Sequence, residues 1–117
     1  MIRVRQGDTV DLTVESPSGN ALPHNVDLHA VYGTGGGAVA TTAAPGEENA
    51  MRFRADYPGA FIYHCAVPNL DMHISAGMFG MILVEPEGGL PEVDRELYFG
   101  QHEVYTDGEA GQEGKRG

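Results

Sequence analysis

Short runs of alternating apolar and polar residues dominate the chain, and each run predicts a half-buried β-strand. Clusters rich in proline, glycine and serine separate the runs, as at 16–20 and 57–59, and these clusters predict turns. Helical periodicity is lacking, so the pattern predicts an all-β sandwich or barrel. The predicted strands are 2–5, 9–15, 51–56, 61–65, 81–84 and 97–99.

The two ends of the chain suggest a piece of a longer protein. Strand-like residues begin at Ile2 with no segment before them, so we expect the earliest strands of the domain to be missing. Residues 108–117 are polar and glycine-rich. We therefore predict one domain over 1–100, then a linker or ragged C-terminus over 101–117. Neither a signal peptide nor a membrane-spanning apolar run is recognisable.

The charge of the chain is strongly acidic, with 17 acidic residues against seven basic ones and a formal net charge of −10. Nucleic-acid binding is disfavoured, because no basic stripe exists to displace counterions from phosphates. The acidic surface is explained either by ordinary solvation or by adaptation to high salt.

The sequence after the predicted strand 61–65 contains a set of ligands suited to a soft metal. Cys65, the single cysteine, precedes a loop that contains His73 and leads to Met78. With His24 from upstream, these residues complete a His₂Cys set with a weak methionine ligand, which is typical of electron-transfer copper. The alternative is that Cys65 is a small buried hydrophobe and Met78 fills the core.

Strand alternation separates these residues into an inner and an outer set. Successive strand residues point to opposite faces, so an inward Cys65 requires an outward His64. If 23–29 is also extended, His24 points inward, whereas Asp27 and His29 point outward towards His64. Two imidazoles and a carboxylate on one outer face suit a second copper or a similar ion with an open position for substrate. Taken singly, His29 or His64 is more often a surface or interface histidine than a ligand, and Asp27 is more often a solvated carboxylate.

At these residues the chain resembles the first cupredoxin domain of the copper-containing nitrite reductases, in the shorter-loop branch that includes the neisserial outer-membrane enzymes. The resemblance implies a cupredoxin-like Greek-key fold. Ala66 makes a laccase-like protein less plausible, because multicopper oxidases that reduce oxygen have histidines on both sides of the cysteine. The matching segments are 3–10, 23–30, the glycine loop through Gly37, 58–59, 63–66 and 73–78.

The resemblance also implies roles for individual residues. His24, Cys65, His73 and Met78 match ligands of the type 1 copper, and the outer residues match the second centre. The implied reaction is one-electron reduction of nitrite to nitric oxide, with the electron passing through Cys65 and His64. In that second centre His29 and His64 match type 2 copper ligands, and Asp27 matches the residue that acts on nitrite.

The resemblance further implies a homotrimer of two-domain subunits that work outside the cytoplasm, in the periplasm or at the cell surface. An external donor such as a cupredoxin or a cytochrome c would supply the electrons. The third type 2 histidine and a further catalytic histidine would come from the second domain of a neighbouring subunit. Two alternatives stay open: a single-domain blue copper electron carrier without catalysis, and a structural module for trimer assembly.

Overall fold

The computed structural model describes residues 1–32 and 34–107. These residues form two β-sheets and a few short helical segments. In chain order the elements are β1 Ile2–Arg5, β2 Thr9–Glu15, β3 Asp27–Leu28, a 3₁₀ segment Thr34–Gly37, α1 Ala38–Thr41, β4 Glu48–Arg54, β5 Gly59–His64, α2 Leu70–Ser75 and β6 Phe79–Glu85.

The larger sheet has the strand order β1–β6–β5–β3, in which β1 runs parallel to β6 and the other neighbours are antiparallel. Strands β2 and β4 form a second, antiparallel sheet. Burial of apolar side chains between the sheets is the main favourable contribution to folding. The all-β fold class predicted from the sequence is confirmed, with only short helical segments between the strands. Both sheets contribute to one buried cluster, made of Leu28, Ala30, Phe53, Ala55, Ile82 and Val84.

The predicted alternation holds along β5, the strand that leads to the cysteine. Phe61 and Tyr63 pack against the core, whereas Ile62 between them is 45% exposed. Cys65 follows the last strand residue, His64, and is buried. The two neighbours therefore face different surroundings, as the period of two requires.

One expectation about the C-terminal half is wrong, and another is only partly covered by the described residues. The strand predicted at 97–99 is wrong: Leu97 and Phe99 are 74% and 84% exposed, and this stretch has no regular structure. Apolar residues alone do not make a strand where no neighbouring strand pairs with their backbone. The predicted linker over 101–117 lies partly outside the described residues, which end at Asp107.

The segment expected to be a loop after Cys65 contains the helix α2. The left-handed residue Asn69 (φ 70°) precedes this helix, and its last turn bonds back through the Ala76 N–H. One helical turn at this point determines where His73 lies. In the portion of the chain that the structure describes, no helix has the length and apolar character needed to cross a membrane.

Candidate metal centres

The thiol of Cys65 lies against two imidazole rings in the protein interior. Its Sγ atom is 3.4 Å from His73 Nδ1 and 4.0 Å from His24 Nδ1. The two rings meet edge to face with centroids 5.2 Å apart. Cys65 and His73 are only 2% and 3% exposed. The structure thus brings together the three strong ligands of the predicted inner set, and we call this group the inner cluster.

Backbone hydrogen bonds from different elements fix the inner cluster. His24 and Ala43 exchange two N–H to carbonyl bonds of 3.0 and 2.8 Å, which hold the upstream segment in place. The N–H of Cys65 donates to the Met78 carbonyl at 3.0 Å, and the N–H of Met78 donates to His73 at 3.2 Å. Met78 lines the same small cavity as Cys65. The cluster therefore has the composition of a type 1 copper site.

The lowered pKa of His24 suits a metal ligand. Burial, with a smaller contribution from the charge of His73, lowers the pKa of His24, so its ring tends to be neutral and able to bind a cation. Among the described side chains, His73 Nε2 is the one buried polar atom without a hydrogen-bond partner. Leaving such an atom unpaired costs about 1–3 kcal/mol, and the other ring nitrogen, Nδ1, is the one that faces the Cys65 sulfur. A thiolate and two neutral imidazoles are the ligands that copper prefers, so these residues fit the implied metal.

Asn25 is a part of this site to which the sequence pattern assigns no role. Its buried Oδ1 accepts a hydrogen bond from the Ala66 N–H at 2.7 Å and lies 3.8 Å from the Cys65 sulfur. Its Nδ2 donates to Thr42 Oγ1 at 3.1 Å. Asn25 therefore ties the segment of His24 to the residue after Cys65. Only the folded structure reveals this contact, because the partners are about 40 residues apart.

Replacing Asn25 with alanine should lower the free energy of unfolding of this chain without metal by about 1–3 kcal/mol, because the partly buried Ala66 N–H loses its acceptor. Urea unfolding followed by circular dichroism measures the change. Asn49→Ala is the matched control: Asn49 also bonds to this region, at Thr42 O, but is exposed. The control should change stability by less than about 0.5 kcal/mol. Equal losses in the two variants would contradict a special role for Asn25.

A second group of ligand atoms meets on the outer side of β5, and we call it the outer cluster. His29 Nε2 and His64 Nε2 are 3.2 Å apart, and Asp27 Oδ2 is 4.0 Å from His64 Nε2. The register of β3 and β5 pairs Asp27 directly with His64, which explains why they meet. His29 is exposed, and the other two side chains are partly buried. All three predicted outer residues are thus brought together, within 4.8 Å of one another.

One hydrogen bond connects the two clusters and sets the tautomer of His64. Its Nδ1 lies 2.9 Å from the carbonyl oxygen of Cys65. A carbonyl only accepts, so Nδ1 carries the proton and Nε2 presents its lone pair to the outer cluster. Metal-binding histidines usually donate their second nitrogen in this way. The donor set of the outer cluster, two imidazoles and a carboxylate, fits a divalent metal such as Cu(II).

A β-sandwich with a His/Cys/His/Met set, in which Cys65 and His73 are buried, defines a cupredoxin-like domain with a type 1 copper-like site. The multicopper oxidase family model matches residues 1–88, and the chain belongs to that family.

The chain is also similar to copper-containing nitrite reductases, which confirms the resemblance seen in the sequence. It is 53% identical over 114 residues to the enzyme of Neisseria meningitidis serogroup A, covering 97% of this chain and 30% of that protein. Identity to the Pseudomonas chlororaphis enzyme is 43% over 108 residues, covering 92% of this chain and 30% of the relative. The solved copper nitrite reductase of Nitrosomonas europaea superposes with a TM-score of 0.74 at 37% identity, covering 81% of this chain and 34% of that one. The chain thus spans about 30% of the length of these curated relatives.

Proposed function

We propose that this chain forms the first copper-binding domain of an enzyme that reduces nitrite to nitric oxide by one electron. The observation that carries the proposal is the adjacency of His64 and Cys65. One residue places its imidazole in the outer cluster, and the next places its thiol in the inner cluster. A single peptide bond, with the hydrogen bond from His64 to the Cys65 carbonyl, therefore joins the two groups.

The inner residues His24, Cys65, His73 and Met78 would hold a type 1 copper. His29 and His64 would hold a type 2 copper, completed by a ligand from outside this chain. When bound, copper supplies one-electron redox chemistry and Lewis acidity. The chain itself would contribute the covalent connection, the imidazole ligands and an acid.

Asp27 would act as that acid. Its Oδ2 lies 4.0 Å from His64 Nε2, so a substrate at the open side of the outer cluster would come within hydrogen-bonding reach of the carboxyl group. Nitrite plus one electron and two protons gives nitric oxide and water, so the reaction needs a proton donor at this position. A protonated Asp27 would donate from its carboxyl oxygen to a nitrite oxygen.

The assembly that we propose follows the resemblance to copper-containing nitrite reductases. Residues 1–100 would be the first cupredoxin domain, and 101–117 would lead to a second one. The working form would be a homotrimer outside the cytoplasm, in the periplasm or at the cell surface, because a neighbouring subunit would complete the type 2 site. An external cupredoxin or cytochrome c would donate the electrons.

Copper counting on the full-length protein tests this function against a single-domain electron carrier. We expect two coppers per chain, with type 1 and type 2 signals in the EPR spectrum. His29→Ala should lose the type 2 signal and leave the type 1 signal, because only the outer cluster uses His29. One copper per chain, unaffected by His29→Ala, would instead support the carrier.

A further inference from the structure

Three successive glycines, Gly35–Gly37, pass beside the outer cluster. All three have positive φ angles, of 70°, 50° and 92°, which residues with side chains rarely adopt. The space around each differs. A Cβ on Gly35 would have open space around it, with Ala38 Cβ 3.9 Å away, whereas one on Gly37 would overlap the flexible end of Met51.

Gly36 is the position that contacts the outer cluster. A Cβ on Gly36 would overlap Asp27 Oδ1 and would lie 2.6 Å from the Leu28 carbonyl oxygen and 2.8 Å from the Leu28 nitrogen. Gly36 is buried, and its backbone therefore lies directly against β3. Asp27 thus has His64 across the sheet on one side and the backbone of Gly36 on the other.

Two threonine hydroxyls keep this backbone from moving away. The buried Thr41 Oγ1 accepts a hydrogen bond from the Val26 N–H at 3.0 Å and lies 3.0 Å from the Gly37 carbonyl, to which it can donate. Thr42 Oγ1 accepts from Asn25 Nδ2 at 3.1 Å. The segment 36–42 therefore contacts 25, 26 and 27 in turn, which lie between His24 of the inner cluster and His29 of the outer cluster.

We propose that Gly36 is a positioning residue for the carboxyl group of Asp27. Strand β3 is at the edge of its sheet and only two residues long, so pairing with β5 alone leaves its outer side unsupported. The backbone of Gly36 fills that side and limits the directions in which the carboxyl group can point. This inference rests on the proposed function, because that function supplies the nitrite to which the Asp27 carboxyl group would hydrogen-bond.

The test is an alanine series in the full-length, copper-loaded protein, with nitrite affinity read from the change in the type 2 EPR signal. Gly36→Ala should weaken nitrite binding about tenfold or more, because the displaced carboxyl group loses its hydrogen bond to nitrite. Gly35→Ala and Gly37→Ala share the positive φ but do not contact Asp27, and they should stay within about threefold of the unsubstituted protein. The blue absorption should be unchanged in all three. Equal weakening by Gly35→Ala, or no weakening by Gly36→Ala, would overturn the proposal.

A double-mutant cycle with Asp27→Ala separates positioning from general damage. Removing the carboxyl group removes one of the atoms that the new Cβ would overlap, so Gly36→Ala should lower the melting temperature less in the Asp27→Ala background. If Gly36→Ala alone does not fold, recovery of folding in the double variant supports the proposal. Equal losses in both backgrounds, or no recovery, would overturn it.

The melting measurement needs no nitrite, so it tests Gly36 independently of the proposed reaction. If nitrite does not change the type 2 EPR signal of the unsubstituted protein, that result would count against the proposed function. The difference between the melting-temperature losses in the two backgrounds would then still decide whether Gly36 positions the Asp27 carboxyl group.

Discussion

Replacing Cys65 with serine should abolish the blue absorption of the copper-loaded protein and remove one copper per chain. The thiolate is the soft, charged ligand of the inner cluster, whereas a serine hydroxyl is hard and stays neutral at physiological pH. The two imidazoles, 3.4 and 4.0 Å from the sulfur, would keep their positions, because backbone bonds rather than the thiol hold them. Visible absorption during titration with Cu(II), together with metal analysis, measures both effects.

The neighbouring substitution His64→Ala is the matched control, one residue away and on the opposite face. It should preserve the blue absorption and remove the other copper, because His64 belongs to the outer cluster. Cys65→Ser should thus remove the blue copper and His64→Ala the other copper, although the two substitutions alter adjacent positions. Loss of the blue absorption in both variants would contradict the separation of the two clusters.

The positions of these clusters were predictable because strand geometry is local. A period of two assigns Cys65 and His64 to opposite faces without any knowledge of tertiary structure. The same alternation assigns Asp27 and His29 to one face, and the register of β3 with β5 places Asp27 beside His64. The fold class followed from the same pattern, since alternating runs need two sheets to bury their apolar faces.

Other parts of the site depend on contacts between distant segments, which no local pattern reports. The acceptor that Asn25 provides to Ala66 links residues 41 apart, and the approach of Gly36 to Asp27 depends on how the 3₁₀ segment packs against β3. The exposed stretch around Phe99 shows the converse case. Its composition favours a strand, but a strand needs a partner, and composition does not reveal whether one exists.

Under the proposed function, replacing Asp27 with asparagine in the full-length protein should lower kcat for nitrite roughly 100-fold or more, the usual contribution of a general acid. Asparagine keeps the size of the side chain and its ability to accept a hydrogen bond, but it cannot release a proton at physiological pH. The blue absorption should be unchanged, because Asp27 lies in the outer cluster, whereas Cys65 is buried in the inner one. Steady-state nitric oxide production with a chemical reductant measures kcat, and absorption spectra check the type 1 site.

Asp11→Asn is the control, since Asp11 is an exposed aspartate in β2, in the other sheet, and pairs with Arg52 at 2.6 Å. It removes the same charge and should leave kcat within about twofold, because Asp11 is not part of the outer cluster. Loss of its exposed ion pair should also change stability little. Full-length protein with two coppers and unchanged turnover after Asp27→Asn would refute the acid role of Asp27. A loss of the type 2 EPR signal in the same variant would instead make Asp27 a requirement for metal binding, so metal content must be measured before the two rates are compared.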